Sequence, residues 1–163
     1  MKYIELTQGK TAIVDDEDFE YLSQWKWYAT ADGYAVRNQT YIASDGYKKQ
    51  RRVSMHRDIM GNPKGYTVDH ANRDKADNRK ENLRTATNTE NLRNQGPRKN
   101  NSGKYKGVTK ASSCKNWSAA IFNSGKRLHL GHFATQEQAA LAYNEAAKKY
   151  HGEFAYINEV RNV

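Results

Sequence analysis

The sequence predicts an α+β protein in which a small β-rich N-terminal region is followed by a three-stranded antiparallel sheet with one helix. Two patterns support this fold class. Residues 66–95 have the order strand, strand, helix, and residues 104–163 have three short β-type segments before a helix. A third observation is the charge, because residues 1–95 carry a net +2 whereas residues 96–163 carry a net +7. We therefore expect two domains of different composition.

The composition limits the size of the core and the class of partner. The chain has 163 residues, a hydrophobic fraction of 37% and a formal charge of +9, which suits a polyanionic partner. The single cysteine, Cys114, can form neither an intrachain disulfide nor a thiolate zinc site. No segment resembles a membrane span or a signal peptide. These observations predict a cytoplasmic protein with no membrane partner.

The N-terminal region combines β-type segments with acidic and aromatic clusters. The β-type segments are residues 3–6, 10–14, 34–37 and 51–55, and the acidic stretch is 15–20. Aromatic residues are concentrated at Trp25, Trp27 and Tyr28, which we interpret as a small core rather than as a platform on which bases stack. The pattern gives no function for residues 1–54.

Residues 66–95 give the clearest element order in this region. We predict a strand over residues 66–70, a polar loop over 71–82, a strand over 83–86 and a helix from about Asn88. Thr87 with Glu90 has the spacing of a capping box, which marks the start of that helix.

The C-terminal region begins after a predicted linker. Gly96-Pro97 stops any helix, so we expect a first domain over residues 1–95, a linker over 96–103 and a second domain over 104–163. Strands are predicted over 105–109, 117–122 and 127–133. A capping box at Thr135 and Gln138 starts a helix that Gly152 ends. Alanines on one helix face allow close packing on one sheet face, which leaves the other face for basic residues.

Asp69 and His70 place a carboxylate and an imidazole side by side at a predicted strand end. Adjacent strand side chains point to opposite faces, so joint action at one point requires an irregular backbone. Alone, such a pair is more often incidental than catalytic. A block rich in amide side chains over residues 77–94 changes this interpretation.

Residues 55–95 resemble the HNH, or ββα-metal, nuclease motif of phage and intron homing endonucleases. The matching segments are Met55-His56-Arg57, Val68-Asp69-His70, residues 77–84 and Asn91. The spacing from Asp69 to Asn82 and from Asp69 to Asn91 suits the homing subgroup whose last metal ligand is an asparagine. The resemblance implies a ββα-metal nuclease motif on the β-rich N-terminal region.

The resemblance also implies a role for each matching residue. Asp69 and Asn91 become ligands of one divalent metal ion, Mg²⁺ with Mn²⁺ as an alternative, His70 the general base, and Asn82 the residue that orients the histidine loop. Asp74 remains a second candidate carboxylate near the metal. Hydrolysis of double-stranded DNA to 5′-phosphate and 3′-hydroxyl ends is the implied reaction.

Residues 104–158 separately resemble the Apetala/ethylene-response-factor type of DNA-binding domain. The resemblance rests on residues 105–108, 117–121, 130–133 and 139–143 and on a terminal Asn158. It implies a sheet laid in the major groove of double-stranded DNA. The candidate DNA-binding residues are Arg98, Lys99, Lys104, Lys106, Lys110, Lys115, Trp117, Arg127 and His129.

The functional hypothesis is therefore a homing-type endonuclease of phage or mobile-element origin that works in a bacterial host. One active site and no heptad stretch predict a monomer that nicks one strand. The alternatives are a DNA-binding regulator with an inactive nuclease motif and an RNA-binding module. We interpret His56 as a packing or hydrogen-bonding residue, and Arg84 as either a phosphate contact or a solvated side chain.

Overall fold

The computed structural model describes residues 1–98, 102–111 and 116–160, and it divides into two compact units, Met1–Asn91 and Leu92–Val163. Helices and antiparallel strands occur in both units, which confirms the α+β class. The division lies before the predicted boundary at residue 95. Within the described ranges, no helix has the length and apolar character needed to cross a membrane.

The first unit starts with a hairpin and continues into a three-stranded antiparallel sheet. The hairpin pairs β1 (Lys2–Glu5) with β2 (Thr11–Val14), and the sheet consists of β3 (Tyr28–Ala29), β4 (Ala35–Ile42) and β5 (Lys48–Ser54). The acidic stretch forms a helix, α1 (Asp16–Leu22), in which acidic side chains occupy the first turn and complement the helix dipole. A second helix, α2 (Met55–Ile59), begins directly after β5, so the strand predicted to reach residue 55 ends earlier.

The aromatic cluster lies in the core of this unit, as the sequence predicted. Trp27 is 2% exposed, and its indole Nε1 donates to the main-chain oxygen of Leu22 at 2.8 Å. The buried Arg37 lies beside it, with its guanidinium carbon 4.1 Å from the Trp25 ring centroid and an ion pair to Asp58 at 3.2 Å. The paired charge and the aromatic contact allow an arginine to occupy this interior.

The strand, strand, helix order of residues 66–95 is confirmed. β6 (Thr67–His70) pairs antiparallel with β7 (Leu83–Ala86), and α3 (Asn88–Asn94) follows. The capping box is reciprocal, since the Thr87 amide donates to the Glu90 carboxylate at 2.8 Å and the Glu90 amide donates to Thr87 Oγ1 at 3.2 Å.

The second unit is an antiparallel meander with one helix on it. The strands are β8 (Val108–Lys110), β9 (Trp117–Asn123) and β10 (Lys126–Phe133), in the order β10-β9-β8, and the helix is α4 (Gln136–His151). The capping box of Thr135 and Gln138 is present, and Gly152 ends the helix. The small residues Ala139, Ala140 and Ala147 are buried, so the helix axis can lie close to the sheet.

The first strand of this meander starts later than predicted. Residues 105–107 form a turn in which Gly107 has φ +75°, and β8 begins only at Val108. A Cβ atom at Gly107 would lie 2.1 Å from Tyr143 Cδ2 and 2.7 Å from the Ala120 oxygen. The turn therefore needs glycine both for its backbone angle and for its space.

A pair of buried asparagines closes the second unit. Asn158 accepts from the main-chain amide of Lys106 at 2.8 Å and donates to the Lys106 oxygen at 3.1 Å. Asn144 on α4 exchanges two further hydrogen bonds with the Asn158 main chain, at 2.9 and 2.8 Å. The C-terminal segment is thereby joined both to the helix and to the turn before β8.

Replacing Gly107 by alanine should destabilise the second unit strongly. The positive φ costs an alanine about 1–2 kcal/mol, and overpacking adds about 1–3 kcal/mol. Urea unfolding followed by circular dichroism measures the change. Gly125→Ala is the matched control, because Gly125 has φ +76° and no atom within 4 Å of the added Cβ. Equal losses for the two variants would contradict the steric explanation.

Candidate active site and nucleic-acid interface

The loop between β6 and β7 is held together from within by Asn82 and Asp77. Asn82 Oδ1 accepts from the Asn72 amide at 2.9 Å, and its Nδ2 donates to the Asp77 oxygen at 2.7 Å. The Asp77 carboxylate, buried in the loop, accepts from Asn72 Nδ2 at 2.9 Å and from two Arg79 nitrogens at 2.8 Å each. The hydrogen bonds from Arg79 lower the pKa of Asp77. The side-chain amide of Asn82 therefore links Asn72 and Asp77 across the loop.

The same loop is attached to the N-terminal hairpin. The Ile13 amide of β2 donates to the Ala76 oxygen at 2.8 Å, and the Asn78 amide donates back to Ile13 at 2.8 Å. Beside them, the Lys80 amide donates to Asp15 Oδ2 at 2.7 Å. The hairpin of the N-terminal region thus supports the loop that follows His70, a role that the sequence pattern of residues 1–54 does not indicate.

His70 ends β6 as a buried side chain in contact with an amide. Its Nε2 lies 3.4 Å from Asn78 Oδ1, and Asn78 is fully buried. Asn78 Nδ2 donates to the Ala76 oxygen at 3.0 Å, which turns its oxygen towards the imidazole. Burial lowers the pKa of His70, while the Asn78 contact opposes that shift. His70 is therefore neutral near pH 7 and able to accept a proton.

Two further rings pack against His70. The His56 ring centroid lies 5.0 Å from that of His70, with the planes at 64°, and the Tyr34 ring centroid lies 5.9 Å from it, at 50°. Tyr34 and His56 are 5.2 Å apart. Burial lowers the pKa of His56 to about 3, so this ring is uncharged as well. The resemblance placed His56 in the same motif as His70 but predicted no contact between them, and the sequence did not connect Tyr34 with either residue.

Asp69 is buried and faces an arginine across the hairpin. The pairing of β6 with β7 is regular through His70, with Asp69 opposite Arg84. Asp69 Oδ2 accepts from Arg84 Nε at 3.0 Å and from Nη2 at 2.8 Å. The backbone is therefore not irregular here, and the side chains of Asp69 and His70 leave the strand on opposite faces. The interpretation of Arg84 as a solvated side chain is therefore wrong, because it is largely buried in an ion pair with Asp69.

The side chains of Asp69 and Asn91 offer the oxygen ligands that a hard divalent cation prefers. Asp69 offers a buried carboxylate, and Asn91 lies half-buried on α3 with an amide oxygen, the ligand types that Mg²⁺ prefers. In the described part of the chain, no three His, Cys, Asp or Glu side chains form a metal-ligand group. No hydrogen bond between described residues joins the Asn91 side chain to Asp69. Asp74 is exposed and accepts the Ala76 amide at 3.0 Å, which makes it a turn residue.

The sheet of the second unit presents an exposed face opposite α4. Cross-strand pairs place Arg127 opposite Phe122 and His129 opposite Ala120 on this face, and Phe122 is 65% exposed. His132 also lies there, with its ring centroid 4.8 Å from that of His129. Three other candidate DNA-binding residues are exposed in this unit, namely Arg98, Lys104 and Lys110.

Two of the predicted DNA-binding residues have structural surroundings instead. Lys106 Nζ donates to the main-chain oxygens of Leu92, Arg93 and Gln95, at 3.1, 2.6 and 2.6 Å. Trp117 is half-buried and packs with the core beneath α4, on the sheet face opposite Arg127. Lys99 and Lys115 lie outside the described residues, as does Cys114.

A second basic surface lies on the first unit. Beyond Val36, Arg37 and Val53, β4 and β5 continue as a ribbon in which most side chains are exposed on both faces. The cations of β5 on this ribbon are Lys48, Lys49, Arg51 and Arg52. The sequence missed this surface because an exposed ribbon lacks the alternation of polar and apolar residues that marks a half-buried strand.

Comparison with known proteins identifies the nuclease motif. Residues 61–93 match the family described as HNH endonuclease. Over 154 residues the chain is 32% identical to the uncharacterized HNH endonuclease L560 of Acanthamoeba polyphaga mimivirus, across 94% of this chain and 77% of that protein. The chain therefore belongs to the HNH endonuclease family, whose members are nucleases that generally depend on a divalent metal.

The C-terminal part matches a different group of proteins. It is 44% identical over 68 residues to dehydration-responsive element-binding protein 2E of Oryza sativa subsp. japonica, across 40% of this chain and 21% of that protein. It is 45% identical over 69 residues to dehydration-responsive element-binding protein 2D of Arabidopsis thaliana, across 41% and 33%. These matches show a DNA-binding domain of the AP2 type in the C-terminal part, and the chain spans a third or less of each relative.

The buried His56 should make the first unit less stable in mild acid. Its pKa of about 3 in the folded chain lies below the ~6.5 of an unfolded chain, so below ~6.5 only the unfolded chain binds this proton. The free energy of unfolding should fall by about 1.4 kcal/mol per pH unit, or about 2 kcal/mol by pH 5. Urea titrations at pH 7.5 and pH 5 measure this, and His56→Leu should reduce the difference. An unchanged pH dependence in the variant would show that another group is responsible.

Proposed function

We propose that this protein is a metal-dependent, homing-type DNA endonuclease that hydrolyses phosphodiester bonds in double-stranded DNA to 5′-phosphate and 3′-hydroxyl ends. The observation that carries the proposal is His70, a buried imidazole whose Nε2 lies 3.4 Å from Asn78 Oδ1, in a member of the HNH endonuclease family. A neutral imidazole can take the proton of an attacking water as general base. Asn82 supports this role from a distance, because it spans the loop that begins after His70.

Asp69 and Asn91 are the residues that would hold the metal, with Mg²⁺ as the proposed ion and Mn²⁺ as the alternative. A bound divalent cation would stabilise the negative charge that develops on the leaving oxygen. The buried Asp69 carboxylate forms an ion pair with Arg84 at 2.8 Å. Arg84 would therefore reorient or share the carboxylate on metal binding, and it would then be available to a phosphate oxygen.

Substitution of the two central residues should separate proton transfer from metal binding. His70→Ala should lower the single-turnover cleavage rate at least ~10²-fold while DNA affinity is retained, because a general base acts mainly on the barrier. Asp69→Asn should cause a comparable loss and should also raise the Mg²⁺ concentration required. Asp74→Asn is the matched control and should cleave normally, since Asp74 caps an exposed turn. Near-normal cleavage by His70→Ala would refute its assignment as the general base.

We propose that DNA is contacted by both units. In the second unit, the sheet face with Arg127 and His129 would enter the major groove, while Arg98, Lys104 and Lys110 would contact phosphates together with Lys99 and Lys115. Lys106 and Trp117 are left out of this set because of their structural contacts. In the first unit, the ribbon of β4 and β5 would add contacts to the DNA backbone through its exposed cations, which include Arg51 and Arg52.

The salt dependence of binding tests both surfaces. Lys110→Gln and Arg52→Gln should each reduce the slope of log affinity against log salt by about 0.9, because each lost phosphate contact releases one counterion fewer. Fluorescence anisotropy with a duplex, over a range of KCl concentrations, gives the slope. Lys148→Gln is the control, since Lys148 is exposed on α4 and paired with Glu145 at 3.0 Å. A slope unchanged by Lys110→Gln would contradict a phosphate contact at β8.

The homing role and the strand preference belong to the same proposal. One Asp-His pair of fixed polarity can cut only the strand presented to it, so the protein would act as a monomer that nicks. The viral relative supports an origin in a phage or mobile element. We also propose that the protein acts in the cytoplasm of a bacterial host.

A supercoiled plasmid with one target site distinguishes nicking from double-strand cleavage. We expect open circles to accumulate, at a rate proportional to enzyme concentration, before any linear plasmid forms. Gel electrophoresis over time and over enzyme concentration measures both products. Linear plasmid that forms directly, with a rate rising as the square of enzyme concentration, would indicate a dimer.

A DNA-binding regulator is the second candidate function. It is favoured by the match of the C-terminal part to proteins named as element-binding and as AP2-like ethylene-responsive transcription factors. Such a protein would bind duplex DNA with and without Mg²⁺ and would never cleave it. Incubation of the wild-type chain with its duplex and Mg²⁺ decides between the two functions, and RNA as competitor tests an RNA-binding module.

A further inference from the structure

His70 is surrounded by more groups than the proposed reaction uses. Asn78 meets one ring nitrogen, but at 3.4 Å this contact is longer than a typical hydrogen bond. This contact by itself does not fix the plane of the imidazole, because χ2 is a soft torsion in histidine. A general base must keep its lone pair directed at one point, so other contacts have to restrict the ring.

We propose that Tyr34 and His56 are positioning residues that fix the plane of the His70 imidazole for proton transfer, a role that rests on the proposed nuclease function. Both rings contact His70 at inclined angles, with centroids at 5.9 and 5.0 Å. They also contact each other at 5.2 Å. A triangle of mutually packed rings resists rotation of any one of them, because each rotation would cause a collision with two neighbours.

Tyr34 is itself held firmly in place. Its amide donates to Thr30 Oγ1 at 3.0 Å, and the Thr30 amide donates to the Tyr34 oxygen at 2.9 Å, which closes the turn before β4. The Lys75 ammonium lies 4.4 Å from the Tyr34 ring centroid and donates to the Asp32 oxygen at 3.0 Å. Lys75 belongs to the loop after His70, so the tyrosine and the loop constrain each other.

His56 carries a second sign of a functional position. Its Nδ1 is buried and has no hydrogen-bond partner among the described residues. A buried polar atom without a partner reduces stability, and an apolar side chain of similar size would avoid that cost. His56 lies at the start of α2 and packs against the His70 ring. A positioning role explains why an aromatic ring occurs here despite the cost of its buried nitrogen. The two rings that contact His70 thus come from different segments, Tyr34 from the turn before β4 and His56 from α2.

The test uses the full-length chain and three variants. Tyr34→Leu removes a ring, Tyr34→Phe keeps the ring but removes the hydroxyl, and His56→Leu removes the second ring. Tyr28→Leu is the matched control, because Tyr28 is also a half-buried tyrosine of this unit and its hydroxyl contacts Asn38 at 3.1 Å. A cooperative urea unfolding transition, measured for every variant, tests whether that variant is folded.

Two measurements distinguish positioning from general packing. The single-turnover cleavage rate at saturating DNA should fall at least ~10-fold in Tyr34→Leu and in His56→Leu, with DNA affinity unchanged, because misorientation acts on the chemical step. Tyr34→Phe should restore the rate to within about twofold of the wild type. The ring resonances of His70, measured by NMR in the metal-free chain with labelled histidine, should shift in the two leucine variants and not in Tyr28→Leu.

The outcomes separate this inference from the proposed function. If a folded Tyr34→Leu and a folded His56→Leu cleave at the wild-type rate with unshifted His70 resonances, the positioning role is overturned. If Tyr28→Leu lowers the rate as much as they do, the effect is general destabilisation and the inference is overturned as well.

If His70→Ala still cleaves DNA, the assigned reaction fails, and the shift of the His70 resonances still decides whether the two rings hold the imidazole. If Tyr34→Leu does not fold, His56→Leu decides by the same criteria.

Discussion

The buried carboxylate of Asp77 is the constraint on which the surroundings of His70 depend. Asp77 ties Arg79 and Asn72 into the loop, and its own main-chain oxygen receives the Asn82 side chain. The Asp77 carboxylate is buried, so removal of its Arg79 partner would leave a buried charge without compensation. The loop therefore has one favourable conformation, and in that conformation it can pair with β2 and present Asn78 to His70.

The two units solve different physical problems. The first unit must keep polar groups in an interior, and it does so by pairing them, as with Arg37 and Asp58 or Asp69 and Arg84. The second unit needs only a small apolar core, because alanines on α4 allow close packing on the sheet. Its cations are therefore not needed in the interior, and most of the described ones are exposed. This division agrees with a reactive site in one unit and a surface for a polyanion in the other.

Local signals explain which elements could be predicted from the sequence. Capping boxes at Thr87 and Thr135 fixed the starts of α3 and α4, because the cap depends only on residues within one helical turn. The acidic run of residues 15–20 does not by itself predict helix α1, although acids in a first helical turn are favourable. Strand β8 starts late because the backbone of Gly107 turns in close contact with the ring of Tyr143, which lies far away in the sequence.

The family resemblance and the residues of the nuclease motif can be recognised without a structure, since Asp69, His70, Asn82 and Asn91 occur at a recognisable spacing. The charge asymmetry also follows from the sequence, since it requires only counting. The surroundings of those residues, in contrast, depend on how the chain folds. Tyr34 and His56 reach His70, Arg84 neutralises Asp69, and Lys106 is bound by three carbonyls. Most of these contacts join residues distant in the chain, or depend on strand register, and neither is encoded in local spacing.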